Sequence, residues 1–155
     1  MHENIPPLSR SRFDELIEEG MLRIPEQFHA KIRNVAVLVE QEPDAATRTE
    51  QGLLEGETLL GLYRGIPRTE RGSDYGVGMT LPDTITLYQF PIEAAAHELV
   101  LARGILFEEA VRAEVADTVW HEVAHYFGMD EDMVMARETE RDTARGKEGT
   151  RESSV

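Results

Sequence analysis

The stretch HEVAHYFGMDED, residues 121–132, sets two histidines four residues apart, a glutamate directly after the first, a glycine three residues after the second, and acids at 130, 131 and 132. Four residues of α-helix turn the chain by about 400°, so His121 and His125 stand about 40° apart and one turn up the same face, where two ring nitrogens can meet one ion. Glu122 lies about 100° round the helix, badly placed to join them as a ligand but within reach of a water beside that ion. Its expected role is general base. The chain contains no cysteine, which excludes disulfides, thiolate nucleophiles and thiolate ligands, so any metal is held by nitrogen and oxygen. Two imidazoles need one more protein donor to make the three-ligand, open site of a catalytic zinc ion. Gly128 can end the helix and turn the chain back. Spacing ranks Glu131, ten residues after His121, first for the third ligand and Asp132 second; Asp130 is the other acid in the run.

The context upstream is the one this clamp needs. From Phe107, the series Val111, Val115, Val119 and Val123 recurs every fourth residue with Ala116, Ala124 and Phe127 beside it, which predicts a long helix with one face on a sheet, ending near Gly128. A partial copy, His97-Glu98-Leu99-Val100-Leu101, has leucine where the second histidine would stand. It cannot clamp an ion, and His97 reads as an ordinary helix residue.

Further out, the pattern alternates between short helices and short strands. Ser11-Arg12-Phe13-Asp14 has the form of a capping box, followed by Leu16, Ile17 and Met21 at helical spacing. Pro25 suits a first helical position before Phe28 and Ile32. VAVLV (35–39), Leu59–Tyr63 and TITLYQF (84–90) are strand candidates, and IEAAAHELVLAR (92–103) is a helix that Gly104 can stop. Gln41 to Glu57 shows little periodicity and reads as a surface excursion. Glu131 to Arg141 reads as a last short helix, and GKEGTRESSV as a polar tail of disordered composition. The expected organisation is one domain over 1–142 and a disordered tail over 143–155.

With 155 residues, 41% of them hydrophobic, the chain can enclose one core. Its formal net charge of -14 repels phosphate backbones and anionic lipid, so neither nucleic acid nor a membrane is an expected partner. No apolar leader and no run of eighteen uncharged apolar residues occurs, and a soluble cytoplasmic protein is expected.

Together, VAVLVEQEP (35–43), LLGLYRGIPRTER (59–71), LPDTITLYQFPIE (81–93) and VADTVWHEVAHYFGM (115–129) resemble the small bacterial zincin-like metallopeptidases sometimes called minimal zincins. The likeness runs over about residues 10–135. It implies an α+β fold, with a small, mostly three-stranded sheet packed on the HExxH helix and further helices at its flanks. It also implies an HExxHxxGxx-acid zinc site and a peptidase activity. Members commonly carry aspartate where this chain has Glu131.

The chemistry expected is amide hydrolysis. Zn²⁺ polarises the carbonyl and acidifies its water, while Glu122 takes the proton and delivers it to the leaving amine. The partner is then a peptide or protein substrate, expected along TITLYQF as an exposed edge. Tyr126, one turn after Glu122, reads first as packing and second as an aid to that carboxylate; Tyr75 reads as a loop residue or a rim contact. Two other classes compete. A non-catalytic module would keep the zinc as a staple and bind a peptide or protein. A metal-dependent endoribonuclease would need a third histidine at position 131 and a basic track, and the sequence has neither.

Overall fold

The computed structural model describes residues 5–65 and 81–128. Within them the order is α1 (Arg10–Met21), α2 (Glu26–Ile32), β1 (Val35–Glu40), α3 (Ala45–Glu50), β2 (Gly61–Arg64), β3 (Asp83–Tyr88), α4 (Gln89–Arg103) and α5 (Phe107–Tyr126). The helix expected over 131–141 and the tail 143–155 lie outside the described residues. Among the described residues no helix is long and apolar enough to cross a membrane.

The first helix starts two residues earlier than its apparent capping box. Ser9, not Ser11, is the N-cap, its hydroxyl accepting from the Arg12 N–H at 3.1 Å. The cause lies one residue upstream. Leu8 donates its N–H to the buried Glu93 carboxylate at 2.9 Å and accepts from Gln89 Nε2 at 2.8 Å, so the chain is anchored to α4 just before Ser9. Gln89 also donates to Glu93 at 2.8 Å, which satisfies a carboxylate that would be costly to bury alone.

The excursion expected over 41–57 contains a helix. Asp44 caps α3 by accepting from the Thr47 N–H at 2.8 Å, and the buried Thr47 hydroxyl accepts from Arg64 at 3.1 Å. This helix is held by a cap and a polar tie to β2 rather than by an apolar stripe.

The sheet is mixed, with strand order β1-β3-β2. β1 runs parallel to β3 in the register Val35↔Asp83 to Glu40↔Tyr88, and β2 runs antiparallel to it from Gly61↔Leu87 to Arg64↔Thr84. The strand expected at 59–63 thus lies at 61–64. TITLYQF is not an edge: β3 is the central strand, and Asp83, Ile85, Thr86, Leu87 and Tyr88 are all buried. Gln89 and Phe90 already belong to α4, and Pro91 sits in its first turn, where the missing N–H has no intrahelical acceptor to lose. Gly104 ends α4 as expected, at φ 66°.

Every residue of the four-spaced series Val111, Val115, Val119 and Val123 is essentially inaccessible. So are Ala110, Trp120 and Ala124, on other sides of the same helix. The expectation of one apolar face is therefore too narrow: α5 is the axis of the core, with α1, α4, β2 and β3 all packed against it. Phe28 meets Trp120 edge-on at 4.1 Å, His97 stacks on Phe107 at 4.2 Å, and Phe13, Leu16, Ile85, Leu87 and Ile92 complete the interior.

Helices α1 and α5 come close at Gly20. A Cβ there would lie 2.9 Å from the Arg112 carbonyl oxygen and 3.1 Å from Val115 Cγ1. Around it, Arg12 grips Glu108 with two nitrogens (2.6 and 2.8 Å), Arg23 meets Glu109 at 2.6 Å, and Arg112 meets Glu19 at 2.7 Å.

This contact can be tested in two ways. Gly20→Ala gains about 1 kcal/mol of helix propensity but forces a methyl against backbone, at about 1–3 kcal/mol. The expected result is a lower urea midpoint at unchanged slope; equal or greater stability would contradict the contact. Arg12 and Arg23 hold the Glu108 and Glu109 carboxyls below the ordinary range, chiefly by hydrogen bonding. A depressed folded-state pKa means stabilisation that is complete above the unfolded value and lost as pH falls through the folded one. Acid titration of stability should therefore be shallower in Arg12→Ala than in the parent, as read by thermal melts from neutral pH downward.

Candidate active site

The site forms where β2 lies along the second half of α5. Two residues of strand advance about 6.7 Å and four of helix about 6 Å, so alternate strand positions can meet every fourth helix residue. They do so here. A Cβ on Gly61 would come within 2.7 Å of Thr118 Cγ2, the Tyr63 N–H donates to Glu122 Oε2 at 3.1 Å, and a Cβ on Gly65 would overlap the Tyr126 phenol. Glycine at 61 and 65 is what lets the strand approach so closely. Tyr63 itself is fixed twice: its hydroxyl donates to the buried Asp83 carboxylate at 2.7 Å, and its ring stacks on Tyr126 with centroids 4.1 Å apart.

Among the described residues β2 is an edge strand, and the alternation of its ladder decides which groups face outward. Leu60 accepts from the Tyr88 N–H at 2.9 Å, so in an antiparallel ladder Leu60, Leu62 and Arg64 turn their backbone groups to β3. Gly61 and Tyr63 turn theirs to the open side. The Tyr63–Glu122 bond is the visible product of that orientation.

Glu122 is half-buried, like His121, whereas His125 is exposed. Burial pushes the Glu122 carboxyl above the ordinary glutamate range, and the Tyr63 N–H together with His125 and His121 pulls the other way. A carboxylate made more basic by desolvation is what proton abstraction near neutral pH calls for. Beside it opens a cleft of about 390 Å³ lined by Thr58, Leu59, Leu60, Gly61, Glu114, Asp117, Thr118, His121 and Glu122.

His121, Glu122 and His125 thus lie together on the last two turns of α5, one turn separating the imidazoles. Nitrogen donors at that spacing beside a carboxylate suit a borderline ion such as zinc. Glu131, Asp130, Asp132 and Tyr75 lie outside the described residues, and among the described residues no three donors gather into a metal-holding group. Tyr126 packs: it stacks on Tyr63 and meets Phe127 edge-on. Sequence reading missed the backbone of Tyr63 and the buried Asp83, for which no side-chain pattern gives a signal. It also passed over Glu114 and Asp117, although they stand seven and four residues before His121.

The family model for zincin-like metallopeptidases matches residues 32–141, which is most of the chain and includes β1, β2, β3, α4, α5 and the acidic run. The chain belongs to the zincin-like metallopeptidase family. Its α+β fold, five helices around a small three-stranded sheet among the described residues, is of that kind. Among solved structures, a conserved hypothetical protein from Thermo thermophilus is similar at 25% identity, over 83% of this chain and 99% of its own, with a TM-score of 0.43. No curated protein matches the chain.

The Tyr63–Glu122 bond predicts a specific amide behaviour. The Tyr63 N–H, though on an open strand edge, should exchange with solvent at least about tenfold more slowly than an unbonded edge amide, and Glu122→Ala should remove that protection. Protection unchanged in the variant, measured by NMR, would show that the bond is not formed in solution.

Proposed function

We propose that the protein is a zinc-dependent peptidase in which His121 and His125 hold the metal, one acid of the run 130–132 completes the set, with Glu131 first in rank, and Glu122 is the catalytic base. The observation that carries this reading is the placement of a half-buried, basicity-raised carboxylate beside two imidazoles one turn apart, lining a cleft and bonded to a strand that is an edge among the described residues. Zinc, when bound, would supply the Lewis acidity that polarises the scissile carbonyl.

The chain's own residues account for the rest. The Tyr63 N–H is given to Glu122, which leaves the outward backbone groups of Gly61 as the place where an extended peptide can pair. That edge replaces TITLYQF, which the fold buries. Glu122 takes a proton from the attacking water and hands it to the departing amine, so one carboxylate serves as base and then acid. Asp83, by holding the Tyr63 ring, keeps the strand seated against the helix while this happens. The substrate is a peptide or protein and the compartment is the cytoplasm, which a chain without cysteine fits.

Purified protein should contain stoichiometric zinc and His121→Ala should not. Glu122→Gln should keep the metal and lose about 10²–10⁴-fold in hydrolysis of a susceptible peptide from a proteome-derived library. Full zinc content with no cleavage of any peptide would replace this reading with that of a zinc-stapled binding module.

A further inference from the structure

We propose that the free edge of β1 docks a second copy of this chain, paired antiparallel across a two-fold axis at Val37, so that two three-stranded sheets join into one.

The free edge follows from the ladder. Leu60, Leu62 and Arg64 turn their backbone groups to β3, so Thr84, Thr86 and Tyr88 face β2, while Asp83, Ile85 and Leu87 face β1. In the parallel register the β1 residues that bond to those three are Ala36, Leu38 and Glu40. Val35, Val37 and Val39 therefore turn their N–H and C=O groups outward, where no strand pairs with them among the described residues.

The two rims of the sheet differ in how they are guarded. On β2 the Tyr63 N–H is given to Glu122, and the strand packs against α5. Among the described residues only β3 packs along β1. From Val35 to Val39 the strand carries no charge, proline or glycine, the devices that blunt the edge strand of a monomer. Its middle is open on both faces, with Val37 36% and Leu38 47% exposed.

Charge names the occupant. Arg33 stands before the strand, Glu40 ends it and Glu42 follows, and all three are exposed. With Val37 on the axis, antiparallel pairing sets residue 33 opposite residue 41 of the other copy. Each Arg33 then falls between Glu40 and Glu42 of its neighbour, once at either end of a junction about 20 Å long. Pairing in the same direction would instead set Arg33 beside Arg33 and acid beside acid. A strand that begins with one sign and ends with the other complements itself only when reversed, which is the condition of an isologous interface. The net charge of -14 on each copy opposes non-specific association, which leaves local matching of this kind to select the face. The joined order would be β2-β3-β1-β1-β3-β2, with both β2 edges, and both candidate active sites, at the outer rims.

The test uses the full chain in sedimentation velocity from low to high micromolar concentration, with amide exchange read over residues 35–40. The parent should pass from monomer to dimer, and exchange at Val37 should slow at least about tenfold as it does so. Arg33→Glu should weaken the dimer at least about tenfold, and adding Glu40→Arg and Glu42→Arg to that variant should restore it, because both ends of the junction are then reversed together. Val37→Lys sets two ammonium groups side by side at the axis and should leave a monomer that still melts cooperatively; Leu38→Lys takes its place if that chain does not fold. A parent that stays monomeric at every concentration overturns the proposal, whether its β1 amides exchange fast, as for an edge kept for a different partner, or slowly, as for an edge covered by its own chain. A dimer indifferent to both Val37→Lys and Arg33→Glu is joined elsewhere and overturns it equally.

Discussion

One hydrogen bond joins the two halves of this molecule where it matters, from the Tyr63 N–H on the rim of the sheet to the Glu122 carboxylate on the central helix. It forms because an antiparallel edge strand turns every other amide away from its neighbour, and because glycine at 61 and 65 lets that strand settle onto the helix. Through it the rim of the sheet and the Glu122 carboxylate are held in fixed relation. Replacing either glycine would part them without touching Glu122 or the imidazoles.

The helix end could be read from sequence because its chemistry is carried by side chains. His121, Glu122 and His125 have fixed angular relations once the helix is recognised, and the four-spaced valines announce it. What could not be read is what the valines exclude. Ala110, Ala113, Ala116 and Ala124 are small enough to be neutral in any periodicity, yet they are what allows other elements to close around α5 on its remaining sides. β3 misled in a related way, since Thr84 and Thr86 resemble a solvated face but Thr86 is buried at the centre of a sheet. Helix α3 was invisible because AATRTE has no apolar stripe; its support, Asp44 at the cap and Arg64 on Thr47, lies in polar contacts made across the fold.

Charge is distributed to a purpose that composition alone does not display. Of the acids that the net charge of -14 implies, several are bound to arginines where α1 meets α5 and one, Glu93, is sealed under the N-terminal segment. Those carboxylates serve the fold. Glu114, Asp117 and Glu122 line the cleft beside the imidazoles.

The meshing of strand and helix has a built-in limit. Like two rulers with slightly different graduations, β2 gains about 0.7 Å on α5 at each shared step, so coincidence at 61, 63 and 65 cannot be prolonged far in either direction. A seam made this way is necessarily short, and a peptide paired beside it, as proposed, could be gripped over only a few consecutive residues.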